Sequence, residues 1–154
     1  MRLEEKLANT LILRTRTIAC AESCTGGLLA HLITNVPGSS VYFKGGVIAY
    51  ANEAKTKLLG VPPLAMKRFG AISVTVAQAM ARGVRRKFKT NLGIAITGIA
   101  GPGGATAEKP VGLVFIAIAS GKGSRARRFQ FQGSRLKIKQ QAAQAALTWI
   151  IQQV

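Results

Sequence analysis

The chain contains no aspartate, and its only acidic side chains are five glutamates against 22 lysines and arginines, a formal net charge of +17. With a pI near 11.3 the molecule carries a field that attracts phosphates and confers non-specific, salt-sensitive affinity for nucleic acid. The cations are nevertheless dispersed. Arg82, Arg85, Arg86, Lys87 and Lys89 form the densest group, followed by Lys122, Arg125, Arg127 and Arg128, then Arg135, Lys137 and Lys139, all beside apolar periodicity. No zinc finger or aromatic RNA-recognition pattern accompanies them, so solvated faces are the default reading. Non-specific nucleic-acid binding through a basic surface is the second.

Other scarcities narrow the field. The two cysteines, Cys20 and Cys24, fit no zinc spacing and are too few for a disulfide framework, which points to a reducing cytoplasm. His31 is the only histidine. No apolar run approaches membrane-spanning length, and the N-terminus, with Glu4 and Glu5 among Leu3, Leu7 and Leu11, reads as an amphipathic helix rather than a signal peptide. With 48% hydrophobic residues, the 154-residue chain is expected to close one core as a single domain over residues 1–154.

What is present is an alternation of strand and helix signals. A helix near 2–13 leads to a strand near 17–22, then to the turn Ala21-Glu22-Ser23-Cys24-Thr25-Gly26-Gly27 and a helix ending near Asn35. Val36 to Ser40 breaks the pattern. Val41 to Tyr50 reads as one strand, or as two interrupted at Gly45-Gly46; Asn52 is a fair N-cap for a helix that Gly60 and Pro62-Pro63 end. A helix from Ser73 repeats Val74, Ala77, Ala81, Val84 and Phe88 on one face. Leu92 to Ile96 is a short strand, and the apolar run Val111 to Ala119 reads as a strand buried on both faces. Ser120-Gly121-Lys122-Gly123 joins it in a hairpin to an alternating strand ending near Gln132, and Ser134 caps a last helix to Ile151 with a stripe including Leu136, Ala143, Leu147 and Ile150. This order implies helices on both faces of a mixed sheet.

Two glycine-rich turns follow strands, one at Ser23 to Gly27 and one at Thr97 to Gly104, and in α/β sheets such turns meet at the carboxyl ends of strands. A serine at the first turn of a helix faces unpaired N–H groups and the positive end of the macrodipole, which suits a nucleophile. Ser and Thr beside Gly-Gly also make an ordinary cap. The second turn lacks the P-loop lysine and the dinucleotide spacing. Cys24 is a rival nucleophile, since thiolates form near helix N-termini. His31 lies about two helical turns past Ser23, out of reach as its base, so a histidine triad is not expected.

Taken together, the elbow Ala21 to Gly27, the segment Gly46-Val47-Ile48-Ala49-Tyr50-Ala51-Asn52-Glu53-Ala54-Lys55, the loop Thr97-Gly98-Ile99-Ala100-Gly101-Pro102-Gly103-Gly104 and Lys109-Pro110-Val111-Gly112 resemble the CinA C-terminal domain family, in order, over about residues 3–152. The resemblance implies a three-layer α/β/α sandwich with a mixed, mostly parallel sheet. It also implies a nicotinamide-nucleotide amidase, which hydrolyses the carboxamide of nicotinamide mononucleotide to nicotinic acid mononucleotide and ammonia in bacterial pyridine-nucleotide salvage.

On that resemblance the catalytic serine maps to Ser23, the tyrosine to Tyr50 and the lysine to Lys55, with no metal or cofactor. Lys55, if neutral, would take the proton of Ser23 directly or through Tyr50. Backbone N–H groups at the elbow or at Thr97-Gly98 would hold the oxyanion. Thr25, Gly26 and Gly27, or the second loop with Thr97, Gly98, Gly101 and Gly103, would take the phosphate, with Arg135 assisting. The chain departs from the family at Ser134, usually acidic, at Lys137 and Lys139, where relatives tend to be acidic, and after Ser73, where a glutamate is common. The length leaves no room for the N-terminal domain to which some members are fused, and a homodimer is a further expectation. The alternative is an inactive relative that binds nucleic acid or another polyanion.

Overall fold

In the computed structural model, which describes residues 1–154, the strands are β1 (Ile18–Glu22), β2 (Phe43–Ile48), β3 (Leu92–Gly98), β4 (Leu113–Ser120) and β5 (Gly123–Gln130). They form one sheet in the order β2-β1-β3-β4-β5. β1 pairs in parallel with β2 and β3, β4 pairs antiparallel with β3 and β5, and so β4 alone runs against the other four. The helices are α1 (Leu3–Leu13), α2 (Leu28–Thr34), α3 (Asn52–Leu59), α4 (Pro63–Phe69), α5 (Val74–Phe88) and α6 (Arg135–Gln153).

Side-chain size decides what packs on each face. On one side of the central strands point Ile18, Cys20, Ile94, Ile96, Ile116 and Ile118, which bury against α1, α2 and α6. On the other point Ala19, Ala21, Ala95, Ala117 and Ala119, and the small side chains let α5 lie close. Gly93 extends that approach, since a Cβ there would stand 2.2 Å from the carbonyl oxygen of Ala81. The result is the expected three-layer α/β/α sandwich, with β4 buried along both faces except at its last residue.

Several boundaries differ from expectation, each for a tertiary reason. Gly45-Gly46 does not interrupt β2; a Cβ at Gly46 would lie 2.8 Å from Cys20 Sγ and one at Gly45 2.3 Å from the Phe88 ring, so the glycines make room for packed neighbours. Pro62-Pro63 ends nothing further: Gly60, at φ 69°, has already closed α3, and Pro63 opens the short helix α4. Asn52 lies inside α3, with Ala51 as the N-cap. Leu136 is 67% exposed, because the buried face of α6 runs through Ile138, Ala142, Ala143, Ala146, Leu147 and Ile150. Ser73 and Ser134 cap α5 and α6 by accepting from the Val76 and Lys137 amides.

Candidate active site

The chain leaves β1 toward β2 and leaves β3 toward β4, in opposite directions across the sheet. The carboxyl ends of β1 and β3 therefore flank a topological switch point, where α/β sheets open a crevice. A cavity of about 240 Å³ lies there, lined by Ser23, Cys24, Tyr50, Asn52, Lys55, Ala71, Ile72, Thr97, the loop residues Gly98, Ile99, Ala100, Gly101, Gly103 and Gly104, and Arg135.

At its floor Lys55 Nζ donates to Ser23 Oγ at 3.0 Å and to the carbonyl oxygens of Ala49 at 3.0 Å and Tyr50 at 3.2 Å. Lys55 is only 2% exposed and no carboxylate pairs with it; ion pairs form only between Arg2 and Glu4 or Glu5. Burial therefore lowers its pKa below the ordinary lysine value. Three acceptors match the three N–H bonds of an ammonium. In the neutral amine two N–H bonds still satisfy the two carbonyls, and the lone pair faces the Ser23 hydroxyl.

The elbow is held by a buried carboxylate. Glu22, 1% exposed, accepts from the amides of Gly27 (3.1 Å), Leu29 (3.1 Å) and Ala30 (2.8 Å), so the start of α2 is already satisfied by a negative charge. This corrects the expectation that Thr25, Gly26 and Gly27 take the phosphate: none of them lines the cavity, the Gly27 amide is occupied, and Thr25 is 1% exposed. Gly26 and Gly27 instead supply positive φ angles of 60° and 104° that turn the chain into α2. The Cys24 and Thr25 amides donate to no backbone carbonyl, and the first directly follows Ser23, where a nucleophile elbow carries its oxyanion donor.

Cys24 lines the cavity, but desolvation by burial pushes its thiol up to about 12, so it stays protonated and unreactive at neutral pH. His31 is exposed on α2, beside Asn35.

The second glycine loop reaches the same cavity. Thr97 donates its hydroxyl to the Ala71 carbonyl at 3.0 Å, fixing the α4–α5 connection against β3, and is thereby a brace rather than a free hydroxyl. Gly98 has no space for a side chain, since a Cβ would stand 2.7 Å from the Leu113 carbonyl oxygen. Arg135 spans the mouth, donating to the Gly101 carbonyl at 2.7 Å and to the Tyr50 hydroxyl at 2.9 Å. The phenol of Tyr50, a residue 59% exposed, thus bonds Arg135, and only its backbone carbonyl meets Lys55, so of the two expected contacts to Ser23 the geometry has the direct one from Lys55 and none from the Tyr50 phenol.

Asn52, Ala71 and Ile72 are site residues that sequence reasoning missed. Asn52 carried a capping signal that hid it, and the Ala71-Ile72 turn has no motif at all. No three His, Cys, Asp or Glu side chains converge to hold a metal ion, and no helix is long and apolar enough to cross a membrane.

A CinA-like protein of Thermosynechococcus vestitus is 55% identical over 84% of this chain and 31% of its own length. The chain spans about a third of the length of the curated relatives it matches. Among solved structures, the competence/damage inducible protein CihA of Agrobacterium tumefaciens superposes with a TM-score of 0.91 at 37% identity, covering 99% of this chain and 96% of that one. A competence-damaged protein (CinA) superfamily protein of Escherichia coli gives 0.95 at 30% identity, covering 99% and 88%. The family model described as the CinA C-terminal domain matches residues 1–154, and the chain belongs to that family.

Proposed function

We propose that this chain is an amidohydrolase acting on the carboxamide of nicotinamide mononucleotide, with Ser23 as nucleophile and Lys55 as its base. The observation that carries the reading is the 3.0 Å contact between Lys55 Nζ and Ser23 Oγ in a cavity at the switch point. The substrate itself rests on the family resemblance.

Neutral Lys55 takes the proton of Ser23 as Oγ attacks the amide carbon, forming a C–O bond and a tetrahedral oxyanion. The Cys24 amide is the donor proposed for that oxyanion, a contribution of about 3 to 4 kcal/mol per donor at such sites. The Lys55 ammonium, steadied by the carbonyls of Ala49 and Tyr50, returns the proton to the leaving nitrogen; the C–N bond breaks and ammonia departs. Water then attacks the Ser23 ester, giving its proton to Lys55, and collapse restores the serine hydroxyl and releases the acid.

The cavity, at about 240 Å³, is smaller than the roughly 300 to 1,000 Å³ of drug-sized sites, so it takes an amide head group with the rest of the ligand extending past Arg135. There the guanidinium would meet a phosphate, and the exposed Tyr50 ring would flank the pyridine. The decisive assay follows ammonia and nicotinic acid mononucleotide formed from nicotinamide mononucleotide by wild type beside Ser23→Ala and Lys55→Met. Turnover in wild type and its loss in both variants supports the assignment; a folded wild type without turnover removes it.

A further inference from the structure

The five glutamates are segregated. Glu22 ends β1, Glu53 opens α3 just after β2, Glu108 sits in the β3–β4 connection, and Glu4 and Glu5 lie in the first turn of α1, which runs down to the start of β1. All therefore belong to the end of the sheet that carries the candidate active site. The opposite end, where β1 and β3 begin and the β4–β5 hairpin turns, has no acidic side chain.

Cations converge there. Arg16, Lys122 and the turn Ser120-Gly121 line one groove with Leu92, and Lys122 and Arg125 line the adjoining one with the same leucine. Arg85 reaches the same turn, its guanidinium 3.6 Å from where a Cβ on Gly121 would stand, while its Nε donates to the Asn91 carbonyl at 3.1 Å. Asn91 ties the two chain crossings together by accepting from the Thr17 amide at 2.8 Å. Arg125 is anchored by the Gln153 side-chain oxygen. These partners are neutral, so two arginines are held in place with their charge uncompensated by any carboxylate side chain, and Arg16 and Lys122 are exposed beside them.

We infer that this end of the sheet, the Arg16–Arg85–Lys122–Arg125 surface, binds the phosphodiester backbone of double-stranded nucleic acid without reading its sequence. Oriented guanidinium groups beside a mobile ammonium suit phosphate oxygens spaced along a backbone. Duplex is favoured over single strand because stacking on bases needs exposed aromatic rings. The two large aromatics most exposed, Tyr50 and Phe69, both lie at the other end; Tyr50 lines the active-site cavity, and the Phe69 carbonyl accepts from Lys109 of the β3–β4 connection. This inference is independent of the amidase reading, since the surface and Ser23 occupy opposite ends of β1.

The test is fluorescence anisotropy of a labelled mixed-sequence DNA duplex across a salt series. Wild type is compared with Arg16→Ala/Lys122→Ala/Arg125→Ala and with a control of equal charge loss, Lys6→Ala/Lys57→Ala/Lys67→Ala, on exposed positions of α1, α3 and α4. Four phosphate contacts predict a slope of log affinity on log salt of about −3 to −4, and removing three of them brings it to about −1 with a loss of about tenfold or more at low salt. The control keeps the wild-type slope. Thermal melts establish that both variants are folded. Equal losses in the two variants, no duplex binding at low salt, tighter binding to single strand of the same length, or equal displacement by poly-glutamate of matched charge would each overturn the assignment.

Discussion

Lys55 Nζ lies 3.0 Å from Ser23 Oγ, with both side chains buried and the two residues 32 positions apart in the chain. Two backbone carbonyls of the segment before α3 hold the amine on its other sides, so its approach to the serine is fixed by main chain rather than by another charge. Replacing Lys55 by methionine keeps the volume and removes the base. Turnover of nicotinamide mononucleotide is expected to fall about 10² to 10⁴-fold with KM little changed, as measured by ammonia release. Lys55→Arg, which keeps the charge but cannot give up a proton, is expected to be equally inactive. Substantial activity in the arginine variant would remove Lys55 as the base.

The same burial sets a pH dependence. With the neutral amine as the proposed base, kcat/KM should rise tenfold per pH unit on the acid side and level off at the depressed pKa of Lys55, below the ordinary 10.5. Stability moves in the same sense. Between the folded-state pKa and 10.5 the unfolded chain binds the extra proton, so unfolding free energy rises with pH across that window, and below it the full penalty of burying the ammonium is present. The difference in thermal midpoint between wild type and Lys55→Met, followed over that range, isolates the effect from the rest of the titration. A constant difference would contradict it.

Glu22 is expected to be a structural requirement of the elbow. Its carboxylate satisfies three amides at the start of α2, and alanine would leave them without that acceptor, the one on Leu29 buried and those on Gly27 and Ala30 partly so. A loss of about 2 to 4 kcal/mol in urea unfolding is expected. Glutamine, which keeps an acceptor oxygen, should recover part of it. An unchanged midpoint for Glu22→Ala would show that solvent replaces the carboxylate.

Arg135 is the proposed phosphate contact. Its guanidinium bridges Gly101 and Tyr50 at the mouth of the cavity. Arg135→Ala should raise KM for the mononucleotide about 10- to 100-fold, the value of a lost charge-assisted contact, while leaving the riboside, which has no phosphate, nearly unaffected. Parallel losses on both substrates would place Arg135 in loop support instead.

Gly83 tests the packing of α5. In an exposed helix, alanine for glycine stabilises by about 1 kcal/mol. Here a Cβ would stand 1.9 Å from the Leu59 carbonyl oxygen, main chain that cannot rotate away, so Gly83→Ala should destabilise, read as a lower melting temperature. A higher one would mean that α3 and α5 separate at little cost.

Most of the layer architecture was legible along the chain because it depends on local periodicity. The helical repeat of α5, the unbroken apolar run of β4 and the Ser120 to Gly123 turn each report burial or turning through neighbours close in sequence. Missed features depend on distant neighbours. Nothing local shows that Gly45 and Gly46 face Phe88 and Cys20, that Pro63 begins a helix, or that Leu136 points to solvent. At the site, family motifs pointed to Ser23, Tyr50 and Lys55, which line one cavity, but nothing local shows that the Gly27 amide, in one of the two turns offered for the phosphate, is taken by the carboxylate of Glu22 and the Gly26 amide by the Ser23 carbonyl.

By itself, then, the sequence determined which residue types were available and where strands gave way to turns: one histidine too far along α2 to serve Ser23, a lysine in the helix after β2, and cations outnumbering carboxylates. Only the tertiary structure decided their chemical states. Lys55 on a helix is ordinarily a solvated ammonium; packing α3 beside the elbow strips its water, offers it two carbonyls and leaves one bond for Ser23. The parallel pairing of β1 with β2 and β3 likewise puts Glu22 and Glu53 at the same end of the sheet and gathers Arg16, Lys122 and Arg125 at the end that holds no glutamate. Protonation and field depend on three-dimensional neighbours, and those are set by the order of the strands.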